Sequence, residues 1–519
     1  MKVVFCCAED EMPGVCYISA VLKQRGHTVD LVFDPKQFDR AYIRSKRLAS
    51  YFRNFWLREN LDGIGQLQPD IIGFSCTTAH YQWALFYARA IKKRFPHIYT
   101  IFGGEHSSVV PELVIKEKCV DFVCVGEGEE AMAGLLEALE KKDRPIKVGN
   151  IWSKDEKGNV IQNPLQPLIQ DLDALPFYDK ELFLHHLPKS YYTEPYAFTS
   201  RGCPYICTYC GVERMKKIYA GLGTFVRRNS PKRAIEQLLI FKKKYNARYI
   251  LFEDDVFAMN EKWMTEFAPL YRKKIGLPFG AFGHTQLLTP KMISLMKKAG
   301  CDILWFGIQS ASEKIRREVH ARYETNEQII KAFDLCHKAG ITTMIDHICN
   351  VPYETKESIY EAFQLYNRIR PDIINVYYLL YFPKAKINEI ALKAGLITEK
   401  DIVMINQGKF EVYQQGYWTD RRQNFWNKYA LFLSSIPLLP KWLVDKIASS
   451  EKLVALFGRF PLYLIGVVKI IINFKAGRGF LPLHILKIEI YNAIHFIKVR
   501  TRRLFVPAQD DFALDKAKV

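Results

Sequence analysis

Short apolar runs alternate with amphipathic stretches near the start of the chain. Residues 2–8 (KVVFCCA), 28–33, 70–75, 100–104 and 120–125 are apolar and bounded by turn formers, which predicts buried β-strands. Residues 17–26 and 83–94 carry apolar positions at helical spacing; the first closes at Gly26 and the second on a basic turn that suits the helix dipole. Strands alternating with helices predict a parallel, doubly wound, Rossmann-like α/β domain over 1–150, which takes ligands beyond the carboxyl ends of its strands. Three glycine- and hydroxyl-bearing loops fall at that edge, at 75–78, 103–108 and 126–129 (GEGE).

A turn-rich stretch follows, and 151–186 reads as a linker. A second alternation then begins. Strands are expected at 196–199, 249–253, 279–284, 303–308, 342–347 and 373–380, with helices at 231–245, 290–299, 326–339 and 356–368. Six β/α units predict a partial (β/α)6 TIM barrel over 187–413, with ligand groups at the carboxyl ends of its strands. From about residue 414 the alternation stops, and 414–519 reads as a mainly helical, basic, apolar region.

Charge and cysteine usage sharpen this picture. Against 55 Asp and Glu stand 74 Lys and Arg, a net charge of +19 on 519 residues, which argues for an anionic partner. Residues 441–506 hold 12 Lys and Arg against 3 Asp and Glu. Their longest uncharged piece, 460–468, is far short of the ~20 residues a membrane span requires. Two readings stand: helices lying in an anionic membrane interface, or a cap over the barrel mouth with a basic outer face. No nucleic-acid motif accompanies the charge. Twelve cysteines in a chain of this length, with no secretory leader before the first strand, point to a reducing cytoplasm.

Three of those cysteines carry the chemistry. In SRGCPYICTYCG (200–211), Cys203, Cys207 and Cys210 stand in a C-x3-C-x2-C spacing. Three thiolates this close can hold a four-iron cluster and leave one iron open to a small molecule. A zinc knuckle completed by His185 or His186 is the alternative, although the paired C-x2-C halves usual for zinc are missing. The spacing, with Pro204 and Tyr209 inside it, resembles the signature of radical S-adenosylmethionine (SAM) enzymes. The resemblance implies a [4Fe-4S] cluster on the three cysteines, SAM on its open iron, and reductive cleavage of SAM, with Tyr209 beside the cofactor. It also assigns SAM contacts to Glu253 and Asp255 in FEDDVF (252–257), and to Gln309 in FGIQS (306–310), where the family usually has an acid. Where the family has Gly-x-Pro-Gly-Glu-Thr, residues 350–355 read NVPYET; 382–386 (FPKAK) departs likewise. Both changes are expected to reshape a substrate pocket on the barrel's open side, with Tyr377, Tyr378 and Tyr381 near it.

The first domain resembles the cobalamin-binding domain that precedes many radical SAM modules. The matching features are GVCYIS (14–19), Gly26-His27, FGGEH (102–106), Pro111-Glu112 and the GEGE turn. By that resemblance Gly14, Ser75, Thr77, Gly103, Gly104, His106, Gly126, Glu127, Gly128 and Glu129 bind cobalamin. Mutases carry Asp-x-His-x-x-Gly after the first strand, but residues 9–14 (EDEMPG) contain no histidine, which implies cobalamin without a lower His ligand. A nucleotide-binding or CheY-like sheet is the alternative from the pattern alone. Together these features imply a cobalamin-dependent radical SAM enzyme, C-methylating a hydrophobic or lipid-like small molecule through methylcobalamin and drawing electrons from a flavodoxin or ferredoxin. Ring formation on a tetrapyrrole-like substrate is the neighbouring possibility. A non-catalytic, cobalamin-binding, membrane-associated protein is the other class.

Overall fold

The computed structural model describes residues 1–37, 46–409 and 429–457, with 467–468, 470–472, 491–494 and 496–497 beyond them. The first domain is built on a seven-stranded sheet of order β2-β1-β3-β4-β5-β6-β7. Its strands are β1 (Lys2–Ala8), β2 (Thr28–Asp34), β3 (Ile71–Ser75), β4 (Tyr99–Gly103), β5 (Phe122–Cys124), β6 (Ile151–Lys154) and β7 (Val160–Gln162). The first five are mutually parallel and buried on both faces, hence their unbroken apolar sequence. The chain reverses its winding between β1 and β3, the point where such sheets open a crevice. Strands β6 and β7 add antiparallel to the edge, so the sheet runs on past residue 150 into the stretch expected to be linker.

Helix Lys46–Leu67 was not expected from the sequence. Gly63 and Gly65, poor helix formers, mask it, yet Trp56, Leu57 and Ile64 fall on one buried face. Helix Glu261–Lys274 likewise contains Pro269 and packs through Trp263, Met264, Phe267 and Tyr271.

The second sheet is the expected open barrel of six parallel strands, ordered β15-β14-β13-β12-β11-β8. They are β8 (Tyr196–Ala197), β11 (Ile250–Phe252), β12 (Phe279–Gly283), β13 (Cys301–Gln309), β14 (Thr342–Cys349) and β15 (Ile373–Tyr378). A small antiparallel hairpin, β9 (Ser200–Arg201) with β10 (Arg227–Arg228), interrupts the alternation and frames the cysteines. Helix ends follow local chemistry. Ser230 and Thr289 accept the backbone N–H of Arg233 and Met292, each just ahead of a proline in the first turn.

The described part of the tail does not cover the barrel mouth. Val468 and Ile472 pack with Leu438 against Tyr249, Ile303, Met344 and Ile373, at or near the amino ends of the strands. The apolar lumen at that end needs a plug, and the tail supplies it. Helix Lys441–Ala448 lies along helix Lys356–Ile369, where Asn367 donates to Asp445 at 2.7 Å. The junction near residue 414 and most of the apolar window 453–474 lie outside the described residues. Among the described residues no helix is long and apolar enough to cross a membrane.

Candidate functional site at the domain seam

A cavity of about 330 Å³ opens where the two domains meet. Phe5, Ile18, Phe74, Ile101 and Met132 make it apolar; Leu172, Phe198, Ser200 and Arg201 close it from the barrel side. Gly14, Ser75, Gly103, Gly104, Gly126, Glu127, Gly128 and Glu129 line it from the sheet's carboxyl edge. Gly104 has φ +86°, and a Cβ there would meet the Cys76 backbone nitrogen at 2.7 Å. Only glycine keeps that wall thin. An apolar, glycine-walled space at a topological switch point fits a large organic cofactor such as cobalamin.

Two residues expected at this site lie away from the cavity. Thr77 is exposed and its hydroxyl pairs with His80 Nδ1 at 3.0 Å. His106 is buried, stacked on Tyr81 at 4.1 Å, with Nδ1 3.2 Å from the Thr78 hydroxyl. Burial, then the charge of Arg214, drives its imidazole down to about 3, which favours the neutral ring, and its Nε2 is buried without a hydrogen-bond partner. The GEGE carboxylates are also less free than the sequence suggests. Glu127 accepts from Arg201 (3.0 Å) and Arg227 (2.8 Å), and Glu129 from Arg201 (2.6 Å).

The cysteine loop leaves β9 directly. Cys207 is buried, while Cys203 and Cys210 are half-buried. Burial pushes the Cys203 thiol up to about 12 and the Cys210 thiol up to about 11; Cys207 adds to both, and Cys210 adds to Cys203. Buried thiols set near one another ionise readily only on a cation. This donor set fits an iron–sulfur cluster. Of the two histidines of the zinc alternative, His186 lies against the Phe33 ring at 5.7 Å. Among the described residues no three His, Cys, Asp or Glu side chains gather at single-ion spacing.

Around the thiols stands a set of residues that sequence reasoning missed. Arg322 Nη1 donates to Cys207 Sγ at 3.6 Å, its Nε to Glu324 at 2.7 Å, and its Nη2 lies 3.2 Å from His284 Nε2. His284 in turn stacks on Tyr205 at 3.9 Å. Tyr209 is partly buried with its ring edge-on to His320 at 5.0 Å. Burial, then Arg322, brings both His284 and His320 down to about 3. The available signal was H-x-R-x-E at 320–324, just after helix Glu313–Glu318.

The acids of 252–257 divide. Asp254 is buried and accepts from the Thr199 N–H at 3.0 Å and the Thr199 hydroxyl at 2.9 Å, tying β11 to the loop before the cysteines. Asp255 lies near enough to raise Cys203 and Cys210. Burial, then Asp254, pushes Asp255 up to about 6. Glu253 faces Asp10 of the first domain and rises to about 7, from burial first and then Asp10. Gln309, at φ +66°, folds its amide back over Gly307 beside Arg322. Gln309 Oε1, both His320 nitrogens, His347 Nε2 and Glu324 Oε2 are buried without a partner. Buried polar atoms need partners, so this set fits a polar ligand such as SAM, whose ammonium would also relieve the raised acids.

Arg214 donates to the Pro383 carbonyl and pairs with Glu105, its guanidinium lies over the Phe382 ring at 5.2 Å, and Lys384 reaches Glu112 at 2.8 Å. The segment 382–386 thus packs on the helix after the cysteines and reaches the first domain through Lys384.

Known proteins show the same architecture. The B12 binding domain family matches residues 2–136, and the radical SAM superfamily matches 198–366. The chain is 29% identical over 341 residues to the uncharacterized methyltransferase PH0819 of Pyrococcus horikoshii, covering 64% of this chain and 72% of that one. It is 25% identical over 381 residues to the anaerobic magnesium-protoporphyrin IX monomethyl ester cyclase of Rubrivivax gelatinosus, covering 71% of this chain and 64% of the relative. The cobalamin-dependent SAM radical enzyme OxsB, solved with aqua-cobalamin, superposes with a TM-score of 0.63 at 15% identity, over 98% of this chain and 82% of that one. A [4Fe-4S] cluster, SAM and cobalamin are the cofactors of this pair of domains. With its B12-binding sheet set against a radical SAM barrel, the chain belongs to the cobalamin-dependent radical SAM enzymes.

Proposed function

We propose that the chain methylates an unactivated carbon of an apolar, lipid-like small molecule. The position of the cavity supports this most. Its wall residue Arg201 precedes Cys203 by two positions, so the cobalamin space adjoins the start of the cluster loop. When bound, the cluster with SAM supplies a radical and cobalamin a transferable methyl group. The protein binds, orients and excludes water. Asp255 and the amide of Gln309 would hold SAM's polar groups, and Arg322 holds Cys207. At the strand carboxyl ends Ile206, Tyr323, Tyr353 and Tyr377 expose apolar surface suited to such a substrate.

The basic excess of 441–506, with exposed Trp442, Leu456, Ile470 and Ile471, supports peripheral attachment to an anionic cytoplasmic membrane surface. A reduced flavodoxin or ferredoxin would supply electrons. The likeness to the cyclase favours a second reading, ring formation on a tetrapyrrole.

Anaerobic turnover with a cellular lipid extract tests these readings. Methylation requires both 5′-deoxyadenosine and S-adenosylhomocysteine from wild type, and no deoxyadenosine from Cys203→Ala, Cys207→Ala or Cys210→Ala. Deoxyadenosine alone would transfer support to ring formation, and neither product from iron-replete protein would sink both. Co-sedimentation with anionic but not neutral vesicles checks the membrane contact.

A further inference from the structure

The cobalamin cavity and the cysteine loop are mechanically joined, and the joint is made on both flanks of that loop. On the leading flank, Arg201 donates to Glu127 (3.0 Å) and Glu129 (2.6 Å), and its guanidinium lies over the Tyr17 ring at 5.0 Å. Its hairpin partner Arg227 reaches the same Glu127 through both carboxylate oxygens, at 2.8 and 3.0 Å. Glu127 also accepts the Ile169 N–H at 2.8 Å, so the carboxylate is held from three sides. On the trailing flank, helix Gly211–Ile218 starts at Cys210, its Arg214 binds Glu105, and Tyr219 just beyond it accepts the Glu127 N–H at 2.6 Å.

Between Arg201 and Cys203 lies one residue in a close-packed turn. Gly202 has φ +86°, and a Cβ there would come within 2.5 Å of the Phe225 carbonyl oxygen. With Phe225 packed against this turn, a displacement of Arg201 has little free space in which to be taken up before Cys203. Glu127, Glu129, Tyr17 and Arg201 are all cavity-lining residues, so a molecule filling the cavity sets their positions. Arg201 bridges two carboxylates through its two Nη groups, and such charge-assisted hydrogen bonds in a partly buried seam are strong.

We propose that Arg201 is a positioning residue that couples occupancy of the cobalamin cavity to the geometry of the cluster loop, and through it to SAM affinity. The coupling rests on the cofactor assignment and not on the identity of the substrate. Coupling between two sites is reciprocal, and typical values change affinity by about 5- to 150-fold. Filling the cavity holds Glu127 and Glu129 against Arg201 and fixes the loop that presents the open iron.

The test measures the SAM dissociation constant of cluster-loaded full-length protein with and without hydroxocobalamin. In wild type, hydroxocobalamin is expected to tighten SAM by about 5-fold or more. In Arg201→Met the ratio is expected to fall to near one, with SAM affinity in the absence of cobalamin kept within about twofold. Arg201→Lys, which keeps the charge but loses the fork, should restore part of the ratio. Glu129→Gln should lower the ratio, and adding Arg201→Met to it should bring no loss beyond that of Arg201→Met alone, as for two residues of one contact. Should Arg201→Met lose iron, Glu129→Gln carries the test in its place. Cobalamin binding that leaves wild-type SAM affinity unchanged overturns the coupling alone, as does an undiminished ratio in both variants. Failure of wild type to bind hydroxocobalamin overturns the cofactor assignment as well.

Discussion

Lys180 Nζ lies 2.6 Å from Glu11 Oε2, and both side chains are removed from solvent. Glu11 sits in the loop after β1, and Lys180 in the connection between the domains. Burial raises the Glu11 carboxyl, and Lys180 is the main group that opposes it. Removing one partner strands a buried charge at a cost of about 3–5 kcal/mol. Lys180→Met should therefore lower the urea midpoint markedly, and Lys180→Met with Glu11→Gln should recover most of the loss.

Tyr353 adopts φ +61° and Asn350 φ +62°, a left-handed backbone that favours glycine. A tyrosine pays for that conformation, whereas its ring is 58% exposed and buries little. Tyr353→Gly should stabilise the protein by about 1 kcal/mol, read as a higher melting temperature; a drop would show that the ring is held by contacts.

Glu253 gives a pH dependence of unusual sign for a carboxylate. Its folded-state value of about 7 lies above the ordinary 4.5. Between those values the unfolded chain releases the proton while the folded chain keeps it, so stability falls as pH rises from about 4.5 to 7. In the protein free of SAM, Glu253→Gln should exceed wild type at pH 8 by at most about 3 kcal/mol, and the gap should close below pH 4.5. Urea titrations at pH 5 and pH 8 measure it.

Arg322 places a cation and an N–H donor on Cys207. Both favour the reduced cluster, which carries more negative charge. Arg322→Gln should shift the cluster's midpoint potential to a more negative value by tens of millivolts. An EPR-monitored redox titration of the reconstituted variant decides this, and an unchanged or raised potential excludes the effect.

Much of the fold could be read in the sequence because its signals are local. Ser230-Pro231 and Thr289-Pro290 announce helix starts, Asn246 and Gly300 take the left-handed caps, and three cysteines within eight residues need no tertiary context. What escaped notice is assembled from separate places. Arg322 and Glu324 share one segment, but His284 follows β12 and Cys207 follows β9, so only the folded barrel brings them together. The same holds for Arg201, which reads as part of a cysteine signature until Glu129 is found 2.6 Å away. His106, a motif histidine next to two glycines, is stacked on Tyr81 and stands apart from the cavity lining, which its sequence neighbours do not reveal.

The polarity of the seam has a consequence for how the two halves recognise each other. In these five pairs across the seam, every carboxylate (Glu105, Glu112, Glu127, Glu129) comes from the sheet domain and every cation (Arg214, Lys384, Arg227, Arg201) from the barrel. In these pairs like charges share a face and opposite charges meet across it. Two fragments divided in the connection should therefore find one another as a heterodimer and ignore their own kind, with a preference that fades as salt is raised.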